Sequence, residues 1–363
     1  MNEVISKNNK SNRELWIDYL RILATFAVIC VHACCQIIDS AVFEMPVVGS
    51  LDWSIACTYN ALSRYCVPIF LMISGALFIG REIRISDLYF KYILRIIVAF
   101  LTWSLFYAVI RAGDSANLKS IVLHTLVGES RYAFLFCLVG LYIITPVLNK
   151  IVESKRIAVY YLLLCFVFCF CEPQVVSVVS DYQIPVVTTF VSGIDLTVSK
   201  MNLQFVMGMT GYYVLGYVLS HYQIKNRNYL YILGVIGGII TAGFTIAKSI
   251  NIGTADFKWF NYLSVNVLCE AVALFVFAKY EMSKIKVSEK VRKTIIKISK
   301  YTFGIYLIHT FVLDILLPDV FGISAYSFSA IISIPIITMA VFIVSLIISF
   351  GVNHIPILCR YIA

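Results

Sequence analysis

Apolar and polar residues alternate along the chain in long blocks rather than at the two-residue period of a strand. Ten blocks of roughly twenty residues stand out, at about 15–36, 54–79, 92–111, 132–149, 157–172, 203–220, 229–247, 260–279, 302–321 and 327–350. About twenty residues at the helical rise cross the hydrocarbon core of a bilayer, so each block predicts a transmembrane helix. The fifth block is short and ends at Glu172-Pro173. The first, beginning at Leu15, is too long for a signal-peptide apolar region and has no small-residue cleavage site, so it reads as a retained helix. The polar stretches between blocks, including the longer 37–53 and 173–202, are too small for an independent domain. The pattern predicts an all-α integral membrane bundle of about ten transmembrane helices. It forms one domain over residues 1–363, opened by a short polar tail at 1–14.

Composition strengthens this reading. The chain is 60% hydrophobic and 13% charged, with a mean hydropathy of +0.88, where soluble proteins carry about a quarter charged residues. A net charge of +9 raises the question of a nucleic-acid partner, but the basic residues are dispersed between apolar blocks and form no basic face, which excludes one. Their distribution instead orients the bundle. Alternate segments counted from the N-terminus hold 21 Lys and Arg, the opposite set only 6, so the positive-inside rule puts both termini in the cytoplasm. The 11 cysteines sit mostly inside apolar blocks without paired CxxC motifs, which suits small apolar fillers better than zinc or disulfides.

Ionisable residues inside the blocks are costly in lipid and mark function by default. In the first block Asp18, Arg21, Thr25, Val28 and His32 follow one helical seam. Asp18 is placed to pair with Arg21, and His32 lies about 16 Å further along the helix axis at 1.5 Å per residue. The structural alternative is a snorkelling arginine and a hydrogen-bonded core histidine. Arg64 falls in the second block on a face shared with Asn60 and Ser74, Glu270 in the eighth and His309 in the ninth. Arg64 needs a polar path or a partner, and Glu270 is the expected one. A purely structural Arg64–Glu270 bridge and a satisfied core His309 are the competing readings.

Together these residues describe a polar cavity. A histidine can serve as general base toward a hydroxyl, and an arginine can stabilise developing oxyanion or phosphate charge. The chain has no GxSxG elbow, metal-ligand cluster or phosphate-cradling glycine loop, so a serine hydrolase and a metal site are not indicated. A secondary transporter or exporter of a polysaccharide or small solute would use the same residue types and is the alternative.

Several motifs resemble those of the acyltransferase-3 family of bacterial membrane O-acyltransferases. Arg21 and His32 are separated by ten residues, as in its Arg-x10-His signature. Arg64-Tyr65-Cys66-Val67-Pro68-Ile69-Phe70-Leu71-Met72-Ile73-Ser74-Gly75 is similar to its Arg-x-x-Val-Pro-x-Phe-Phe-x-x-Ser-Gly segment, with Leu71 in place of the second Phe. Leu141–Pro146 and Gly304–His309 look like two further landmarks in the expected order. The closest type is the single-domain one that acetylates surface polysaccharide, as for enterobacterial common antigen. The stretch before Leu141 departs from the family in lacking the Trp often found there. The resemblance implies a ten-helix enzyme of the bacterial cytoplasmic membrane with no permanently bound cofactor. Its donor would be acyl-CoA, usually acetyl-CoA, and its acceptor a hydroxyl of a surface or lipid-linked glycan. His32 would be the base and Arg21 its partner, with Arg64, Ser74, Glu270 and His309 around the substrate. Lys91 and Arg95 would meet the CoA phosphates, though a positive-inside loop also explains them. Direct transfer and a transient acyl-histidine are both open, and oligomeric state is not implied.

Overall fold

The computed structural model describes residues 14–39, 48–112, 117–182, 185–201, 203 and 208–354. Most of the expected N-terminal tail, part of the first outer loop, the start of the sixth span and Arg360 lie outside the described residues.

Every regular element among the described residues is helical. Among the described residues, nine helical segments are long and apolar enough to cross a membrane: Leu15–Ile38, Leu51–Phe78, Ile85–Ala112, Ala133–Val152, Lys155–Asp181, Arg227–Ile252, Lys258–Lys284, Glu289–Val320 and Ala330–Asn353. The expected sixth span, 203–220, is represented by a helix of only 12 described residues, Thr210–His221. With it, the ten expected spans run alternately up and down. Contacts at the two ends agree with that alternation. Gly80 N–H donates to Asn149 Oδ1 and Lys279 Nζ to the Leu219 carbonyl at the end where basic residues concentrate. Asp52 Oδ1 accepts from Ala330 N–H at the opposite end.

We number the helices α1 (Leu15–Ile38), α2 (Leu51–Ala61), α3 (Cys66–Phe78), α4 (Leu94–Ala112), α5 (Leu118–Val127), α6 (Ala133–Val152), α7 (Lys155–Cys165), α8 (Glu172–Tyr182), α9 (Pro185–Lys200), α10 (Thr210–His221), α11 (Arg227–Ile252), α12 (Val265–Tyr280), α13 (Glu289–Phe311) and α14 (Ala330–Asn353). The centre of the bundle is α1, which packs against α2, α3, α12, α13 and α14. Its buried side chains run its whole length from Trp16 to Ile38. Helices α7 and α11 lie at the periphery, where their apolar side chains face outward as lipid would require.

Lipid offers little hydrophobic drive for helix association, so close packing of small residues carries much of it. A Cβ at Gly75 would fall 1.8 Å from the Tyr213 carbonyl oxygen, and one at Gly216 would fall 2.0 Å from that of Met72. Helices α3 and α10 therefore cross backbone to backbone through these two glycines. Gly237 makes the same approach to the Asn266 carbonyl across α11 and α12.

Two interruptions of helical geometry position the site. The second span is not one helix: residues 62–65 form turns between α2 and α3. The cause is Pro68, which has no N–H for the carbonyl of Arg64 four residues back and whose ring crowds it. Arg64 N–H instead bonds the Ala61 carbonyl at 3.1 Å and Cys66 N–H bonds Ser63 at 3.2 Å, both of the tighter i−3 type. The expectation of a single helical face carrying Asn60, Arg64 and Ser74 fails at this break. In the ninth span, α13 widens into a π-helix over Val312–Val320 that contains Pro318. A π turn would have residue 318 donate to the Leu313 carbonyl. Proline cannot, and Gln36 Nε2 from α1 supplies that bond at 3.2 Å.

Candidate active site

His32 lies near the end of α1 opposite the basic end, six residues before Ile38. It lines a cavity of about 230 Å³ whose other walls include Cys66, Arg131, Phe134, Tyr262 and Tyr306. Its ring is stacked on that of His309, with centroids 5.3 Å apart and planes 28° apart. His32 makes no hydrogen bond to any described residue, so its ring nitrogens remain free for a molecule entering the cavity.

His309 is fully buried. Its Nδ1 sits 2.6 Å from the Tyr306 carbonyl. A carbonyl can only accept, so the proton is on Nδ1 and Nε2 is left as the acceptor, 3.5 Å from the Thr310 hydroxyl. This bond fixes the tautomer and the plane of His309, and stacking passes that orientation to His32.

Arg131 and Arg64 bring positive charge near His32, and His309 is its other titratable neighbour. Arg131 lies just before α6 and forms an ion pair with Asp314 in the π turn, each side chain about one-fifth exposed. Asp314 also accepts from Gln36 Nε2 at 3.4 Å, and Tyr306 Oη donates to the Arg131 carbonyl at 2.7 Å. Neither Arg131 nor Asp314 stood out among the expected site residues. Arg131 falls just outside the fourth apolar block, which begins at about residue 132. Asp314, however, lies inside the ninth block, and a carboxylate at that depth is the same signal that singled out Arg64.

Arg64 occupies the break between α2 and α3. Its guanidinium lies 4.6 Å from the Phe260 ring centre and 5.3 Å from that of Tyr262, and its buried Nε has no hydrogen-bond partner. Tyr262 is shared with the His32 cavity. The expected Arg64–Glu270 bridge is not formed. Glu270 Oε1 accepts from the Thr241 hydroxyl at 2.7 Å, and Thr241 accepts from Asn266 Nδ2 at 2.8 Å. Asn266 Nδ2 also bonds the Trp259 carbonyl at 2.8 Å. Glu270 thus braces the turn that presents Phe260 and Tyr262 to Arg64, one step removed from the guanidinium.

The remaining expected residues lie elsewhere. Ser74 donates to the Phe70 carbonyl of its own helix at 2.8 Å. Arg21 sits far down α1 near Tyr142, with its carbonyl accepting from Thr25 Oγ1 at 2.7 Å. Neither lines the His32 cavity. Asp18 on the same helix is buried and accepts from Ser299 Oγ at 2.6 Å, which ties α1 to α13. Lys91 and Arg95 are exposed at the basic end, with Arg95 5.9 Å from the Phe303 ring.

A family model described as an acyltransferase domain, that of the acyltransferase-3 family, matches residues 14–352. The chain belongs to the acyltransferase-3 family. Comparison with curated proteins and with solved structures finds no significant match. Its members are membrane acyltransferases, and the all-helical bundle with its multiple apolar spans agrees with that class. Around the cavity lined by His32 and Arg131, His309 stacks on the His32 ring and Arg64 lies against Tyr262, which the cavity shares.

Proposed function

We propose that this acyltransferase moves an acetyl or other short acyl group from cytoplasmic acyl-CoA to a hydroxyl of a surface or lipid-linked polysaccharide. The protein would sit in the bacterial cytoplasmic membrane with both termini inside. The observation that carries this reading is the His32 ring, without a hydrogen bond to any described residue, stacked on His309 at the wall of a cavity shared with Arg131. A ring held in place with free nitrogens is what a general base needs.

In this reading the CoA phosphates rest at the basic end near Lys91 and Arg95, and the pantetheine arm extends past Arg21 toward His32. A His32 nitrogen takes the proton of the acceptor hydroxyl as its oxygen attacks the thioester carbonyl carbon. Arg131 or Arg64 meets the negative charge that develops on the carbonyl oxygen. The C–S bond breaks, and the proton passes to the departing CoA sulfur. The same nitrogen could instead take the acyl group first, and a rapid acid quench that looks for label on the protein separates the two routes. Family membership favours transfer over the transporter alternative.

The test uses proteoliposomes with the lipid-linked glycan of the producing membranes and radiolabelled acetyl-CoA. His32→Ala is expected to abolish label transfer while leaving yield and membrane insertion unchanged. Wild-type transfer by that variant would overturn the assignment of the base.

A further inference from the structure

A second and larger cavity, about 380 Å³, opens between α4 and α5 at the end of the bundle nearer His32. Its volume falls in the range of about 300–1,000 Å³ common for small-ligand sites. Ser104, Tyr107, Arg111, Ser120, His124 and Glu129 line it. Its lining is polar, yet Ser104 at its floor lies mid-helix in an apolar span. Ser104 is 1% exposed, and its hydroxyl has no hydrogen-bond partner among the described residues. A buried hydroxyl without a partner is costly, and a hydrogen-bonding ligand in the cavity would offset that cost. The wall opposite is held by Gly128, whose φ of +72° and lack of room for a Cβ (2.4 Å from the Phe100 ring) let the chain pass against Phe100 and Ser104.

The charge of the cavity narrows its ligand. Arg111 pairs with Glu129 at 3.1 Å, so these two formal charges cancel and leave no fixed surplus for an anion. What remains is a set of donors and acceptors side by side: a serine hydroxyl at the floor, another at the rim, an imidazole, a guanidinium and a carboxylate. Such a set matches adjacent hydroxyl groups, each of which both gives and accepts a hydrogen bond. The cavity also backs onto the histidine helix. Tyr107 Oη donates to the Leu307 carbonyl at 3.2 Å and accepts from Phe311 N–H at 2.7 Å, on either side of His309.

We infer that this cavity binds an uncharged saccharide unit of the acceptor, beside the unit whose hydroxyl reacts at His32. The word acceptor rests on the transferase reading above; the saccharide site itself does not. The experiment measures binding of maltotriose and of triacetylchitotriose to the full chain in nanodiscs by saturation-transfer NMR. It compares wild type with Ser104→Leu, which fills the floor, and Ser120→Trp, which fills the exposed rim and does not depend on repacking a buried position. At least one trisaccharide is expected to bind wild type and to bind both variants at least about tenfold more weakly, as loss of buried hydrogen bonds and of the space would dictate. Absence of binding by both sugars, or equal binding by the variants, overturns the site. With acetyl-CoA added, saccharide bound at this cavity but never esterified counts against the transferase reading and leaves the site standing. Esterification with an acceptor KM unchanged in both variants does the reverse.

Discussion

Arg131 offers the sharpest test of how the cavity works. Its guanidinium shares the cavity with His32 and is held by Asp314, whose own position depends on Gln36 and the π turn. If Arg131 meets charge that appears on the acyl oxygen only in the transition state, Arg131→Met removes an interaction absent from the ground state. Loss of one such preorganised group costs about 10²–10³ in kcat, or roughly 3–4 kcal/mol. KM should then stay close to wild type. Asp314→Asn keeps a hydrogen-bonding group but removes the charge that anchors Arg131. Exposed ion pairs are worth about 0–1 kcal/mol, and breaking a buried one costs about 3–5 kcal/mol. With both side chains one-fifth exposed, the anchor is worth the middle of that span, about 2 kcal/mol, which sets roughly thirtyfold as the ceiling on the loss of kcat. Because Asp314 acts through Arg131, adding Asp314→Asn to Arg131→Met should cost almost nothing further. The measurement is steady-state acetyl transfer in proteoliposomes for the four members of this double-mutant cycle. A raised KM with kcat intact, or additive losses in the double variant, would show that the pair merely shapes the wall.

Two further predictions concern stability. Gly75→Ala should cost about 3 kcal/mol or more, since a methyl group 1.8 Å from the Tyr213 carbonyl forces α3 and α10 apart. Detergent melting should fall by several degrees for Gly75→Ala and not for Gly140→Ala, where nothing lies within 4 Å; equal melting of the two would remove the close crossing from the account. At the loop after α11, burial pushes the Asp256 carboxyl up. The Lys258 backbone N–H and the Lys248 ammonium, 3.0 Å away, outweigh it and hold the group below the usual carboxylate range. A lowered folded pKa means that this stabilisation is present above about pH 4 and is lost as pH falls through the folded value. Melting against pH should therefore drop less steeply in acid for Asp256→Asn than for wild type, and parallel curves would refute the coupling.

Much of the bundle was legible because lipid makes secondary structure follow hydropathy. An exposed backbone has no water to bond, so any apolar run of twenty residues has one conformation open to it. The ends of the spans were less so, since the ninth span begins at Glu289, well before its apolar block at about 302. What hydropathy cannot show is which spans touch. Glu270 faces Thr241 rather than Arg64 because glycines on α11 let that helix close on α12, and a pairing of neighbours that far apart has no trace in the spacing of either residue. His32 and His309 were each found by depth alone, but their stacking depends on α1 and α13 being adjacent. Arg131 escaped because it stands at the rim of a block, where a base looks like an ordinary loop residue.

The depth of the charges in the bundle bears on mechanism. Arg21, Arg64, Glu270, His309 and His32 do not form an even ladder across the membrane. Both histidines, Arg131 and Asp314 gather toward one end, Arg64 sits beside them at a broken helix, and Arg21 is left well down α1 near Tyr142. The two helix interruptions explain the clustering. Non-helical backbone is tolerated at membrane depth only where protein or a polar cavity covers it. Pro68 breaks the helix at Arg64, and the π turn that holds Pro318 carries Asp314, so each proline stands near a charged side chain close to the His32 cavity. On the proposed reading, an acyl donor entering from the basic end would carry its reactive carbon past Arg21 to this cluster, and the seam of α1 would be the route to the chemistry rather than its seat.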